Sequence, residues 1–266
     1  MLFGELAACF FCVVCLAFQK PSYKGTTDFR VRSCLWEILT LSVPLTLNRM
    51  LVNLLQSTEA ILIPGKLEAS GLTNAQSLSL YGALTGMALP FILFPSAITS
   101  ALSTMLLPTI AGQQAAGKED AIIRSTEQTI QYCLWLGFLS GGIFFFFGKE
   151  LAQIFYRNQD AGIFLQILAF LCPFLYLTAT LTGILNGLGH TVQCLIQNLA
   201  GLGIRILFVT FAIPHMGIRG YLFGLLLSQL VITGLNLLFL HKNVKFRFPA
   251  TKSVSYTHLR AHETSQ

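Results

Sequence analysis

The sequence predicts an all-α, polytopic transmembrane helix bundle with about seven membrane helices. Three observations carry that expectation. Apolar residues make up 54% of the 266 residues and charged residues only 11%, where a soluble domain carries about 25% charged. The apolar residues gather in runs close to the roughly 20 residues that span a bilayer as helix. The basic residues sit mostly between those runs. Backbone groups in hydrocarbon have to be bonded within their own segment, so each run reads as a helix.

Seven runs follow one another along the chain: Leu2–Phe18, Trp36–Pro64, Leu78–Ala101, Ile130–Phe147, Ile163–Leu185, Val192–Ile213 and Tyr221–His241. The first is short and carries Glu5. It lacks a basic leader and a small-residue cleavage site, so it reads as a membrane helix and not as a signal peptide. Pro44, Pro90, Pro95 and Pro173 fall inside runs, where each removes a backbone bond and permits a kink. Gly183-x-x-x-Gly187 and Gly220-x-x-x-Gly224 provide surfaces for close helix approach.

Lys and Arg between the runs set the orientation. Lys20, Lys24, Arg30, Arg32, Lys118, Arg124, Lys242, Lys245, Arg247 and Lys252 fall on one side, and Lys66, Lys149, Arg157 and Arg219 on the other. The richer side is expected to be cytoplasmic. The net charge of +6 is therefore a topology signal with affinity for anionic membrane lipid, and nucleic acid is not an expected partner. The segment Gly112–Gln131 is polar with interspersed Ile and reads either as an interfacial amphipathic helix or as a solvated helical loop.

Chemistry-bearing motifs are few. There is no G-x-S-x-G, P-loop or H-E-x-x-H and no paired carboxylate in a helix core, so neither an enzyme nor a cofactor is expected. Cys9, Cys12 and Cys15 copy an iron–sulfur spacing, but flanking Phe and Val make them small apolar residues of one helix. No metal site or disulfide framework is expected from the seven cysteines. The stretch Ser253–Gln266 departs from the composition of everything before it and reads as a non-native tail, so His258 and His262 receive no role.

Polar groups inside a membrane are costly and usually face a cavity or a partner. Arg49 and Arg205 lie near the middle of the second and sixth runs. A guanidinium stays charged, and its planar fork matches phosphate oxygens. Arg49, Asn53 and Gln56 fall at i, i+4 and i+7 on one helix face, and Asn198 and Arg205 lie seven apart. These five are the candidate substrate-binding residues of a cavity, with purely structural hydrogen bonding as the other reading. Glu59 is either a cation or proton site or an ordinary interfacial carboxylate.

Four stretches carry a resemblance: SVPLTLNRMLVNLLQSTEAILIP (Ser42–Pro64), YGALTGMALPFILFPSAITSALSTMLLPTIA (Tyr81–Ala111), LTGILNGLGH (Leu181–His190) and IPHMGIRGYLFGLLLSQ (Ile213–Gln229). Together they resemble the stage V sporulation protein B-like, polysaccharide-biosynthesis branch of the multidrug/oligosaccharidyl-lipid/polysaccharide exporter superfamily. The resemblance implies two six-helix lobes around a central cavity. Residues 1–18 would be the last helix of a truncated first lobe, 19–35 a cytoplasmic inter-lobe linker and 36–248 the complete second lobe, with 253–266 the non-native tail. The chain would then be a fragment whose partner is the missing N-terminal lobe. The implied activity is flippase-type export of a lipid-linked oligosaccharide or peptidoglycan precursor on an undecaprenyl diphosphate carrier, by alternating access. It would serve cell-wall, spore-cortex or polysaccharide assembly at the bacterial cytoplasmic membrane. The alternatives are a cation-coupled multidrug exporter of the same superfamily and a non-transporting scaffold of a wall-synthesis complex.

Overall fold

Apolar sequence with no internal breaker stronger than proline folds here into long helices, seen in a computed structural model that describes residues 31–244 and eight helical positions between Gly4 and Cys15. Most of the expected linker and the whole expected tail lie outside the described residues. The described residues up to Leu39 and those from Thr40 onward fall in two separate units. Six helices follow: α1 (Val31–Ala69), α2 (Asn74–Ala115), α3 (Glu119–Tyr156), α4 (Gln159–Gly187), α5 (Thr191–Met216) and α6 (Ile218–Val244). Helices α2 to α6 are each long and apolar enough to cross a membrane. The 39-residue α1 is long enough as well, though it carries Asn48, Arg49, Asn53, Gln56 and Glu59. No strand occurs among the described residues. The chain is an all-α, multi-pass membrane bundle.

Helix bounds differ from the sequence expectation in an instructive way. Pro64 and Pro108 do not end their helices; α1 runs on to Ala69 and α2 to Ala115. Gly112–Gln131 is not a separate interfacial helix. Its first residues end α2, a turn passes through Gly117, and Glu119 opens α3, which continues unbroken to Tyr156. The polar stretch is the emergent end of two membrane helices, with Glu119 and Asp120 against the positive pole of α3.

Two prolines reshape the backbone ahead of them. A π-turn at Ala83–Ala88 precedes Pro90, and another at Phe208–Ala212 precedes Pro214. A proline cannot donate to the carbonyl four residues back. In each case the residue just before the proline reaches five back: Leu89 N–H to Leu84 O, and Ile213 N–H to Phe208 O. A 3₁₀ turn at Ala169–Leu171 likewise precedes Pro173 in α4. The connections are tight. Gly217, at φ 59°, is the whole link between α5 and α6.

Helix α4 is the centre of the bundle. Of its most apolar window 56% is buried, against 22–28% for α2, α3, α5 and α6. Lipid tails are as apolar as leucine, so small residues and hydrogen bonds hold such helices together. Gly137 and Gly141 of α3 abut Pro173 and Ala169 of α4, and Gly183 and Gly187 of α4 abut Ser103 and Leu107 of α2. The hydroxyl of Ser103 donates to Ala179 O at 2.8 Å, that of Tyr176 to Ile92 O at 2.8 Å, and Thr178 bonds Thr233 at 2.6 Å. The described cysteines are free thiols, and no cluster of potential metal ligands occurs among the described residues.

Candidate functional site

Helix α1 presents two polar faces, not one. Arg49, Asn53 and Gln56 are exposed together with Ala60. About a third of a turn away, by the 3.6-residue period, Leu47, Met50, Leu54 and Ile61 form an exposed apolar sector. The outer surface of α1 is thus split between a polar stripe and a lipid-like one. Arg49 has no hydrogen-bond or ion-pair partner among the described residues, so its fork is open to whatever occupies the space beside it.

The second face is turned inward. Asn48, Leu55 and Glu59 follow one another at i, i+7 and i+11, with Leu55 and Glu59 buried. This face meets α5 through two polar bridges. Asn198 Nδ2 donates to Asn48 Oδ1 at 2.9 Å. Further along, Arg205 Nη2 donates to Glu59 Oε2 at 2.5 Å. The order of the two bridges shows that α1 and α5 run parallel.

Tyr221 of α6 completes the second bridge. Its hydroxyl accepts from Arg205 Nη2 at 3.1 Å and donates to Glu59 Oε2 at 3.2 Å. Arg205 Nη2 and the Tyr221 hydroxyl therefore both donate to the same carboxylate oxygen, Glu59 Oε2, and Nη2 is the only guanidinium nitrogen with a partner among the described residues. Glu59 Oε1 and Arg205 Nε are buried with no partner. The side chain of Glu59 is 7% exposed and that of Arg205 24%. The half-buried Tyr81 of α2 lies within electrostatic reach of both charges.

The sequence reading thus meets two outcomes. Arg49, Asn53 and Gln56 do share a face, and it is exposed. Arg205 is not a free cavity arginine beside Arg49; its charge is matched by Glu59. Glu59 is buried and paired with Arg205, and α1 extends ten residues past it. Asn198 is spoken for by Asn48. Tyr221 was missed altogether. Its signal lay in the glycines around it: a Cβ on Gly220 would meet Ala212 O at 2.8 Å, and Gly224 abuts Phe208. Those close approaches draw α6 onto the Arg205 face of α5.

A groove of about 550 Å³ between α3 and α4 is lined by Gly137, Gly141, Phe145, Phe170 and Pro173 among others. Its lining carries no charged group and shares no residue with the polar cluster.

A multi-pass helical bundle with polar side chains gathered on α1 and met by groups of α5 and α6 is the architecture of a polytopic membrane protein. The MatE family model matches residues 44–211, and the chain belongs to that family. It is similar to Stage V sporulation protein B of Bacillus subtilis (strain 168), with 27% identity over 237 residues, 86% of this chain and 46% of that relative. It is also similar to Sporulation protein YkvU of the same organism, with 23% identity over 201 residues, 75% of this chain and 45% of that one. The chain spans about half the length of the curated relatives it matches. Among solved structures, an outward-facing multidrug resistance MATE family transporter of the MOP superfamily aligns with a TM-score of 0.64 at 19% identity, covering 77% of this chain and 45% of that one. A MOP superfamily transporter from Pyrococcus furiosus Vc1 (DSM3638), whose binding pocket is described as reversed in polarity, aligns at 0.60 and 18%, covering 78% and 44%. At such identities the likeness establishes the fold.

Proposed function

We propose that this chain is the second lobe of a flippase-type exporter for a lipid-linked oligosaccharide or peptidoglycan precursor, carried on an undecaprenyl-diphosphate-type lipid, in a bacterial cytoplasmic membrane. The observation that carries the reading is the exposed Arg49–Asn53–Gln56 stripe on α1. An arginine within a membrane helix and without an internal partner is costly unless a cavity and an anion await it. Its fork suits a diphosphate, and the amides beside it suit sugar hydroxyls or the same phosphates. The likeness to two sporulation proteins supports a role in cell-wall or spore-cortex assembly. The stripe would face a first lobe across the cavity, and rocking of the two lobes would give alternating access.

The experiment is complementation with the full-length parent protein. Arg49→Ala abolishes complementation at normal expression, and Arg49→Lys restores it only in part, since an ammonium lacks the fork. Full complementation by Arg49→Ala overturns the role given to Arg49.

The multidrug alternative draws on the solved neighbour described as a multidrug transporter. It needs a carboxylate free to take a cation. Glu59 is buried as such a site requires, but Arg205 already neutralises it, which favours the anionic-lipid reading. Efflux of cationic dyes by the full-length parent separates the two.

A further inference from the structure

The Glu59–Arg205–Tyr221 cluster is half satisfied. A guanidinium and a carboxylate usually meet through two parallel bonds. Here both described bonds to the carboxylate converge on Glu59 Oε2, while Glu59 Oε1 and Arg205 Nε are buried and bare. Access is also lopsided. The arginine side chain is 24% exposed and the glutamate 7%. The arginine is thus the more open member of the pair.

We propose that Glu59 is an intramolecular stand-in for an anionic ligand of Arg205, displaced by an isoprenoid diphosphate while Glu59 takes up one proton. The inference rests on the reading above that the chain handles lipid-linked diphosphates, and it adds a selectivity filter and a proton to that reading. The exchange balances. Arg205 keeps its proton throughout. Its Nη2–H bond to Glu59 Oε2 breaks, and N–H bonds to phosphate oxygens form. The uncovered carboxylate, left in an apolar setting, is costly as an anion. It takes a proton from bulk water at Oε1, the oxygen with no partner. The groups facing it are Arg205 from α5, Tyr221 from α6 and Tyr81 from α2. With Arg205 turned to the ligand, the two phenols are neutral hydrogen-bonding groups and supply no charge to hold the anion. A diphosphate with two negative charges competes well for the arginine, whereas a neutral or weakly charged lipid leaves the pair closed.

The test uses the full chain in lipid nanodiscs with farnesyl diphosphate as the probe. Calorimetric titration in buffers of different ionisation enthalpy counts protons taken up on binding. Wild type is expected to take up about one proton per ligand, since a ligand that selects the opened pair carries the linked proton with it. Glu59→Gln is expected to take up none and to bind about tenfold more tightly, because the competing state is gone. Arg205→Gln is expected to bind at least about tenfold more weakly.

Wild-type binding without proton uptake overturns the exchange, and this measurement needs no variant to fold. So does Glu59→Gln binding no more tightly than wild type, or with uptake unchanged; either result leaves the diphosphate reading standing. Failure of both wild type and Glu59→Gln to bind the probe overturns the exchange and the diphosphate reading together. A proton-linked exchange seen alongside full complementation by Arg49→Ala would remove the Arg49 reading alone.

Discussion

Glu59 on α1 and Arg205 on α5 touch through one oxygen and one nitrogen, 2.5 Å apart. This single-point contact, with the Asn48–Asn198 bond, joins two parallel helices. Eleven residues separate Asn48 from Glu59 and seven separate Asn198 from Arg205, or about 16 Å against about 10 Å of rise. The long arms of glutamate and arginine make up the difference.

Because the carboxylate is the more buried partner, removing either charge should not cost the same. Arg205→Gln strands a carboxylate that is 7% exposed and is expected to destabilise the fold by about 3 kcal/mol. Glu59→Gln strands a guanidinium that still reaches the surface, and about 1 kcal/mol is expected, near the cost of a lost hydrogen bond. The double variant should be more stable than Arg205→Gln alone, giving a clear coupling energy in the cycle. Equilibrium unfolding in mixed micelles measures all three. The reverse order of the singles would mean that Arg205, not Glu59, is the buried member.

How much of this was legible in the sequence turns on what a linear reading can see. The helices were visible because a hydrocarbon solvent forces every apolar run into one conformation. The Arg49–Asn53–Gln56 face was visible because it follows helical spacing within one element. The Glu59–Arg205 pair was not, since it joins residues 146 apart through side chains reaching between α1 and α5. The apolar run ends at Pro64, five residues past Glu59, whereas the helix continues to Ala69. In fact Glu59 continues an i+4 ridge with Leu55, Ile63 and Leu67, all buried, and that register alone marks it as inward-facing.

The two kinds of glycine in the membrane helices should respond oppositely to alanine. A Cβ on Gly183 would stand 2.7 Å from Ser103 O, and one on Gly187 2.8 Å from Leu107 O. Gly183→Ala should therefore push α4 from α2 and cost about 1–3 kcal/mol. Gly142 on α3 has nothing within 4 Å of its would-be Cβ. Gly142→Ala should be neutral or stabilising by up to about 1 kcal/mol through helix propensity. Thermal unfolding in detergent ranks the pair, and a neutral Gly183→Ala would show that the α2–α4 seam can slide.

Tyr176 is fully buried at the centre of the bundle and caps the Ile92 carbonyl of α2 at 2.8 Å. That carbonyl lies three residues before Pro95, where the helix already lacks a donor. Tyr176→Phe keeps the ring and removes one hydroxyl, so a loss of about 1 kcal/mol is expected. Hydrogen exchange around Phe91–Ser96 should rise with it. Unchanged protection there would mean that this turn of α2 is held by packing alone.

The polar and apolar sectors of α1 make a spatial prediction independent of stability. In a cysteine-free form of the protein, Asn53→Cys and Gln56→Cys should react with a charged, membrane-impermeant maleimide, because the proposed cavity brings water to their sector. Leu54→Cys should not react, although Leu54 is 65% exposed, because its sector borders lipid, where a thiol stays protonated and the reagent does not enter. Leu55→Cys, buried against the bundle, should be silent as well. Saturating an isoprenoid diphosphate should slow labelling at positions 53 and 56. Equal labelling at 53, 54 and 56 would dissolve the distinction between the sectors and remove the cavity wall on which the proposed path depends.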